Sequence, residues 1–247
     1  MSASSFSTLP PELICRVFEF AGDFSIVAAL AKTARTFYHT WRENSTSICQ
    51  AVAPRVISNP IDAERLLHTQ EEAEAGGRSQ ETRQQRSITK VKRLLSNARC
   101  ASAASDSWVR LCQIDQTFDR GEDPHMRSSE LARFGHAFYC VWTIGVMGTA
   151  LLLQDQASAF LDQCSPRELC RLEEFATWAM DYNENDFGSS GLDFHDEVWK
   201  TGCDLVSKRW MAWREGRHGM AAPDYTPLNF FAFFDNTQRY LDLVPDE

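Results

Sequence analysis

Residues Ala137 to Leu153 run for seventeen positions without a charged side chain. Such a run has two settings open to it: lipid, or the interior of a protein that covers it from every side. Seventeen residues is the short limit for a membrane-spanning helix. Gly145 and Gly148 interrupt the run, and no basic cluster flanks either end to set an orientation. The expectation is therefore a central helix buried by its neighbours, with a membrane anchor through 137–153 as the alternative. A chain of 247 residues has the length to bury such a helix in one or two domains. Its hydrophobic share of 43% and aromatic share of 11% are those of a folded globular chain.

The neighbours that must do the burying also read as helices. At the N-terminal end, Leu9-Pro10-Pro11 is extended, because a residue before proline is pushed out of the helical region. Proline then suits the first turn of a helix, where Glu12 meets the favourable end of the dipole. Leu13, Val17 and Ala21 recur at helical spacing, with Phe18 and Phe20 widening the stripe, and Gly22-Asp23 ends it. Val27, Leu30, Ala34, Phe37 and Trp41 predict a second helix, and Glu43 to Val56 a short third one closing at Pro54, with Ile48 and Val52 inward. Asn59-Pro60 starts a further helix that Gly76-Gly77 stops, and residues 76–85 form a polar joint. Helices follow over Ile88–Ala104 and Trp108–Phe118, then a loop over Asp119–Ser128. Ser165-Pro166-Arg167-Glu168 is a capping-box start, with Leu169, Leu172, Ala176 and Ala179 as its buried face. Asp193 is the expected cap of a last helix through Arg214, and the Phe-rich tail from Leu228 to Val244 docks on the core. No repeat of 20–50 residues shows.

The two opening helices are too apolar to satisfy each other, which implies a partner. At these residues the chain resembles the F-box, a helical module that docks a ubiquitin-ligase subunit onto a Skp-type adaptor. The matching features are Leu9-Pro10-x-Glu12-Leu13, Val17-Phe18, Leu30, Arg35 and Phe37. Ala21 stands where leucine is usual and Ala34 where cysteine is frequent, at a loss of roughly 0.8 kcal/mol per buried methylene. The resemblance implies adaptor contacts from Leu9, Pro10, Leu13, Val17, Phe18, Leu30 and Phe37. The helix around Glu130–Trp142, with its ARF-x-H-AFY-x-VW pattern, further resembles the helical C-terminal half of filamentous-fungal F-box proteins.

Charge and chemistry narrow the function classes. The net charge is −9, and the first 56 residues hold five basic and four acidic side chains, so the remainder carries the acidic excess. An acidic chain is a poor general binder of nucleic acid. Between Thr82 and Ser105 stand Arg83, Arg86, Lys90, Lys92, Arg93 and Arg99 with no acid. The first five are candidate substrate contacts for an acidic or phosphorylated client, or an import signal; the plainer reading is the solvated face of a helix, or a surface paired with the acidic run from Asp181 to Glu197. Eight cysteines lack any C-x-x-C pair, and the N-terminus lacks a secretory pattern, so reduced thiols in cytoplasm or nucleus are expected. Asp181-x-Asn183-x-Asn185 begins like a calcium loop, but Asp186 and Leu192 occupy the positions that need glycine and glutamate. The six histidines show no His-x3-His pair. Cys140 reads as core packing, and Trp142, Trp178, Trp199, Trp210 and Trp213 as core more than as a recognition groove. No nucleophile elbow or phosphate loop appears. The expectation is a non-enzyme without cofactor or metal.

The sequence thus predicts an all-α chain: an N-terminal F-box bundle over 1–56, a helical linker over 57–85, and a non-repeat helical domain over 86–247 for substrate recognition. The resemblance implies a substrate-recognition subunit of an SCF-type ubiquitin ligase, with a Skp-type adaptor, a cullin scaffold and an unidentified protein client as partners, and neither nucleic acid nor membrane. An adaptor-binding protein without a role in degradation is the alternative within the same family.

Overall fold

The computed structural model describes residues 9–75, 83–114, 127–181, 193–194, 196–216 and 232–235. Among them every regular element is a helix: α1 (Pro11–Glu19), α2 (Phe24–Thr33), α3 (Arg35–Val56), α4 (Pro60–Glu74), α5 (Arg83–Ile114), α6 (Ser128–Thr149), α7 (Gln154–Gln163), α8 (Pro166–Asp181) and α9 (Glu197–Glu215). The all-α class is as the sequence predicts. The 76–82 joint, the loop over 119–126, the calcium-like stretch 182–192, His195, the 217–227 loop and all of the tail except 232–235 lie outside the described residues.

The chain divides into two compact units, the first Met1–Pro60 with Arg78–Ser96, the second Ile61–Gly77 with Asn97–Glu247. The expected linker over 57–85 is shared between the two units. Its helix α4 belongs to the second unit, and the chain returns to the first unit before the second is complete. The expected pair of helices over 88–104 and 108–118 is one helix, α5. Ser105, Asp106 and Ser107 are weak helix formers, but Ala101, Ala104 and Trp108 give the helix a buried face that runs straight through them.

In the first unit α1 and α2 both pack on α3. Ile14, Phe18, Ala21, Val27, Phe37, Ile48 and Val52 form its core, with Leu9, Leu30 and Trp41 packed on the rim. Phe18 meets Phe37 edge to face with ring centroids 5.9 Å apart. The expected long second helix is two helices. Ala34 is extended (φ −154°, ψ 156°), so Phe37 and Trp41 sit on α3 and not on the helix of Val27. Asp23 accepts the N–H of Ile26 at 2.8 Å and starts α2. Helix α3 bends at Asn44 (φ −114°, ψ 19°), where the expected third helix begins, and continues past Pro54 to Val56. At the far end of α1 the Arg55 guanidinium donates to the carbonyl oxygens of Glu19 and Ala21, which the helix itself leaves unpaired.

In the second unit α6 is the axis, packed by α7, α8 and α9. Ala137 to Met147 is buried on nearly every side, Trp142 being half-buried. No helix among the described residues is long and apolar enough to cross a membrane. The helix stops at Thr149; Leu151 and Leu152 turn outward, 85% and 86% exposed, while Leu153 folds back onto Met147 and Ala157 and leads into α7, which the sequence reading did not anticipate. Helix α8 begins as predicted, the Glu168 N–H donating to Ser165 Oγ at 3.2 Å. Helix α9 is capped by Asp196, three residues later than expected, through the Trp199 N–H at 2.9 Å. Residues 232–235 are bound to the core as expected of the tail. Buried Glu174 accepts the N–H of Ala232 at 2.8 Å, buried Glu130 accepts that of Asp235 at 2.9 Å, and Phe233 packs on Trp108 and Phe134.

Helices α6 and α9 touch through glycine. A Cβ on Gly145 would drive into the carbonyl oxygen of Val198, and one on Gly202 into that of Val141. One on Gly148 would lie 2.7 Å from side-chain atoms of both Leu205 and Thr201. The two glycines that seemed to interrupt the apolar run are thus the seat of its closest neighbour. Gly145→Ala and Gly202→Ala each gain about 1 kcal/mol of helix propensity but must force two backbones apart, which costs more. We expect each to destabilise the protein by about 1–3 kcal/mol net, measured by urea unfolding; a stabilised Gly145→Ala protein would show that the helices do not meet here.

Candidate functional site

Two features stand apart from ordinary packing, one in each unit. In the first unit, α1 is apolar on two faces. Ile14 and Phe18 point into the core, whereas Leu13, Val17 and Phe20, spaced i, i+4, i+7, form an outward stripe that is 52%, 41% and 77% exposed. Pro10 is exposed beside it and Leu9 half-buried. Ile26 on α2 and Tyr38 on α3 are further exposed apolar side chains of this unit. The residues expected to contact an adaptor therefore separate. Leu13, Val17 and Pro10 are on the surface, and Leu9 and Leu30 are partly so. Phe18 and Phe37 are corrected: both are buried in the core and hold the bundle together. The sequence misses this because Phe18 follows Val17 by one residue, a step of about 100° that carries the chain from one face to the other.

The basic candidates divide as well. Lys90 and Lys92 are exposed on α5 and Arg93 is half-buried, while the side chains of Arg83 and Arg86 lie outside the described residues. Arg99, on the same helix, falls in the second unit. Of the tryptophans, Trp178, Trp199 and Trp210 are core residues, as expected.

In the second unit three helices converge on His136. Its Nδ1 lies 2.8 Å from Asp62 Oδ2, in the first turn of α4, and its Nε2 lies 3.2 Å from Glu168 Oε1, in the first turn of α8. One turn along α6, Cys140 Sγ is 3.6 Å from Nε2 and 3.9 Å from Nδ1. Arg65 Nη1 stands 3.7 Å from the other oxygen of Asp62. Hydrogen bonds to Asp62, Cys140 and Glu168 raise the His136 imidazole to about 12. His136 in turn holds the Glu168 carboxyl below its usual range, with the backbone N–H of Ser165 helping. Burial pushes the Cys140 thiol up. The resting state is an imidazolium clamped between two carboxylates, beside a neutral thiol.

Sequence reasoning missed this cluster because it looked for paired histidines. The legible signal is His136-x3-Cys140, two metal-ligating residue types one turn apart on one helix face; Asp62 and Glu168 come from distant helices that no local pattern connects.

An imidazole whose folded value lies above its unfolded one adds stability that is complete below about pH 6.5 and declines as the pH rises toward 12. The stability gap between the wild type and His136→Gln, read from urea unfolding in chelator, is expected to be wider at pH 6 than at pH 9. An equal gap at both pH values would mean that the histidine is neutral in the fold.

Comparison with protein-family models, with curated proteins and with solved structures finds no match to this chain.

Proposed function

We propose that the protein is a non-catalytic specificity subunit of an SCF-type ubiquitin ligase, which docks a Skp-type adaptor through its first unit and carries a protein client on its second. The observation that supports this reading best is the second apolar face of α1. A nine-residue helix that has already buried Ile14 and Phe18 gains nothing from also exposing Leu13, Val17 and Phe20 to water. Apolar side chains grouped on one exposed stripe mark an interaction site, whereas scattered ones need no explanation. The stripe includes the Leu13 and Val17 of the F-box resemblance, and Leu9, Pro10 and Leu30 supply its edges. Phe18 and Phe37 act from beneath, by setting the angle at which α1 is presented.

The mechanism that follows is proximity. Holding a client beside a charged ubiquitin carrier converts a bimolecular encounter into an effectively intramolecular one, and the covalent chemistry belongs to the partners.

Because Leu13 and Val17 lie outside the core, Leu13→Glu with Val17→Lys leaves the unit folded, with a change within about 0.5 kcal/mol. The same pair of changes places two charges in the centre of the proposed interface. Co-expression with a filamentous-fungal Skp-type adaptor and size-exclusion chromatography should give a one-to-one complex with the wild type and none with the double variant. Separate elution of wild-type protein and adaptor would defeat the proposal; a complex that survives the double variant would move the interface elsewhere.

A further inference from the structure

We propose that Asp62, His136 and Cys140 form a binding site for one divalent transition-metal ion of the zinc class, with Glu168 as the outer carboxylate that orients the imidazole. The ligand atoms of the three residues all lie within 4.8 Å of one another. Tetrahedral zinc holds nitrogen, oxygen and thiolate at about 2.0–2.3 Å, which places neighbouring ligands about 3.4–3.6 Å apart. The separations from Nδ1, 2.8 Å to Asp62 and 3.9 Å to Cys140, bracket that spacing; Sγ also lies 3.6 Å from Nε2, so the thiol must swing toward the Nδ1 side before all three ligands share one ion.

The donor set selects the metal. Calcium and magnesium take oxygen ligands, whereas a mixed imidazole, thiolate and carboxylate set suits zinc and its neighbours. Three protein ligands leave the fourth position open. The His136 side chain is 34% exposed, so an ion can reach it. The surroundings are also those of a metal centre. A ligating histidine donates its second N–H to a carboxylate, and Glu168 already stands at Nε2 while Asp62 stands at Nδ1. A nucleophilic role for Cys140 is the weaker reading, since the residue is 1% exposed and its thiol is pushed toward the neutral form.

Charge and protons balance. Without metal, two carboxylates and one imidazolium leave the cluster at minus one. The ion displaces one proton from Nδ1 and one from Sγ, and two carboxylates, a thiolate and a dication again leave minus one. Binding therefore releases protons and strengthens as the pH rises. The groups that face the site and modulate this are Arg65 on α4, Arg171 on α8 and the half-buried Cys164.

The test uses the full-length reduced protein and cobalt(II), whose bond to a thiolate gives a charge-transfer absorption. The wild type should bind one equivalent with that absorption and lose the absorption when zinc is added. Cys140→Ser should bind at least 100-fold more weakly and without the absorption, while Cys49→Ser, in the first unit, should behave as wild type. Glu168→Gln should keep the absorption but weaken binding by about 10–100-fold, an effect that a purely structural carboxylate would not produce. Failure of the wild type to give the thiolate absorption, or its persistence in Cys140→Ser, would overturn the proposal and leave the cluster as an ion triad that pins three helices. Should Cys140→Ser not fold, the wild type decides: a thiolate absorption that saturates at one equivalent and is lost to zinc supports the site, and any other result overturns it.

Discussion

The second unit depends on how closely two helix backbones approach. Gly145, Gly148 and Gly202 remove side chains where α6 and α9 meet, so Val198 and Val141 present carbonyl groups where other helix pairs present methyl groups. Once the axes are that close, Trp199 reaches Phe138, Trp142 and Phe194, with centroids 5.0, 5.1 and 4.7 Å away. The rings continue through Phe175 and Trp178 to Phe134 and Trp108. Aromatic pairs in edge-to-face and offset arrangements add to what area burial alone supplies. An apolar helix with no polar face of its own is thereby covered.

The polar end of α6 solves a different problem, that of register. An apolar cylinder can rotate and slide among its neighbours at little cost; its first turns cannot. Glu130 takes the N–H groups of Arg127 and Asp235, Arg133 reaches the Phe233 carbonyl and the Asp235 carboxylate, and His136 joins Asp62 to Glu168. Charged groups removed from water are tolerated when paired and hydrogen-bonded, and they are costly when misplaced. Each therefore penalises every register but one.

What could be read from the sequence follows from the range of the physics involved. The helix start set by a capping side chain was legible at Ser165-Pro166, because the cap and its target lie within three residues, and the start of α4 was legible from Pro60 itself. The buried face of α8 was legible from spacing, and so was the burial of Ala137 to Met147. The break at Ala34 was not, since alanine favours helix and only the packing of α1 and α2 against α3 opens the chain there. The division of α1 into an inward Ile14–Phe18 face and an outward Leu13–Val17–Phe20 face was hidden for the same reason: the two sets adjoin in one wide apolar stripe, and the stripe alone does not say which half meets the core. Of the His136 cluster, the His136-x3-Cys140 half was available to a reader, and the Asp62 and Glu168 half depended on tertiary structure alone.

The order of segments along the chain has a consequence for synthesis. The first unit includes residues 78–96 as well as 1–60, and the second unit has already begun at 61–77. A nascent chain released as far as Glu74 holds α1, α2 and α3 together with the opening helix of a unit whose axis, α6, is still more than fifty residues away. The second unit cannot close in strict sequence, because its first segment is made before residues 78–96 of the other unit and long before α6. A polypeptide ended near Pro60 accordingly carries the whole Ile14–Phe18–Phe37 core, while the second unit still lacks the axis on which its helices pack.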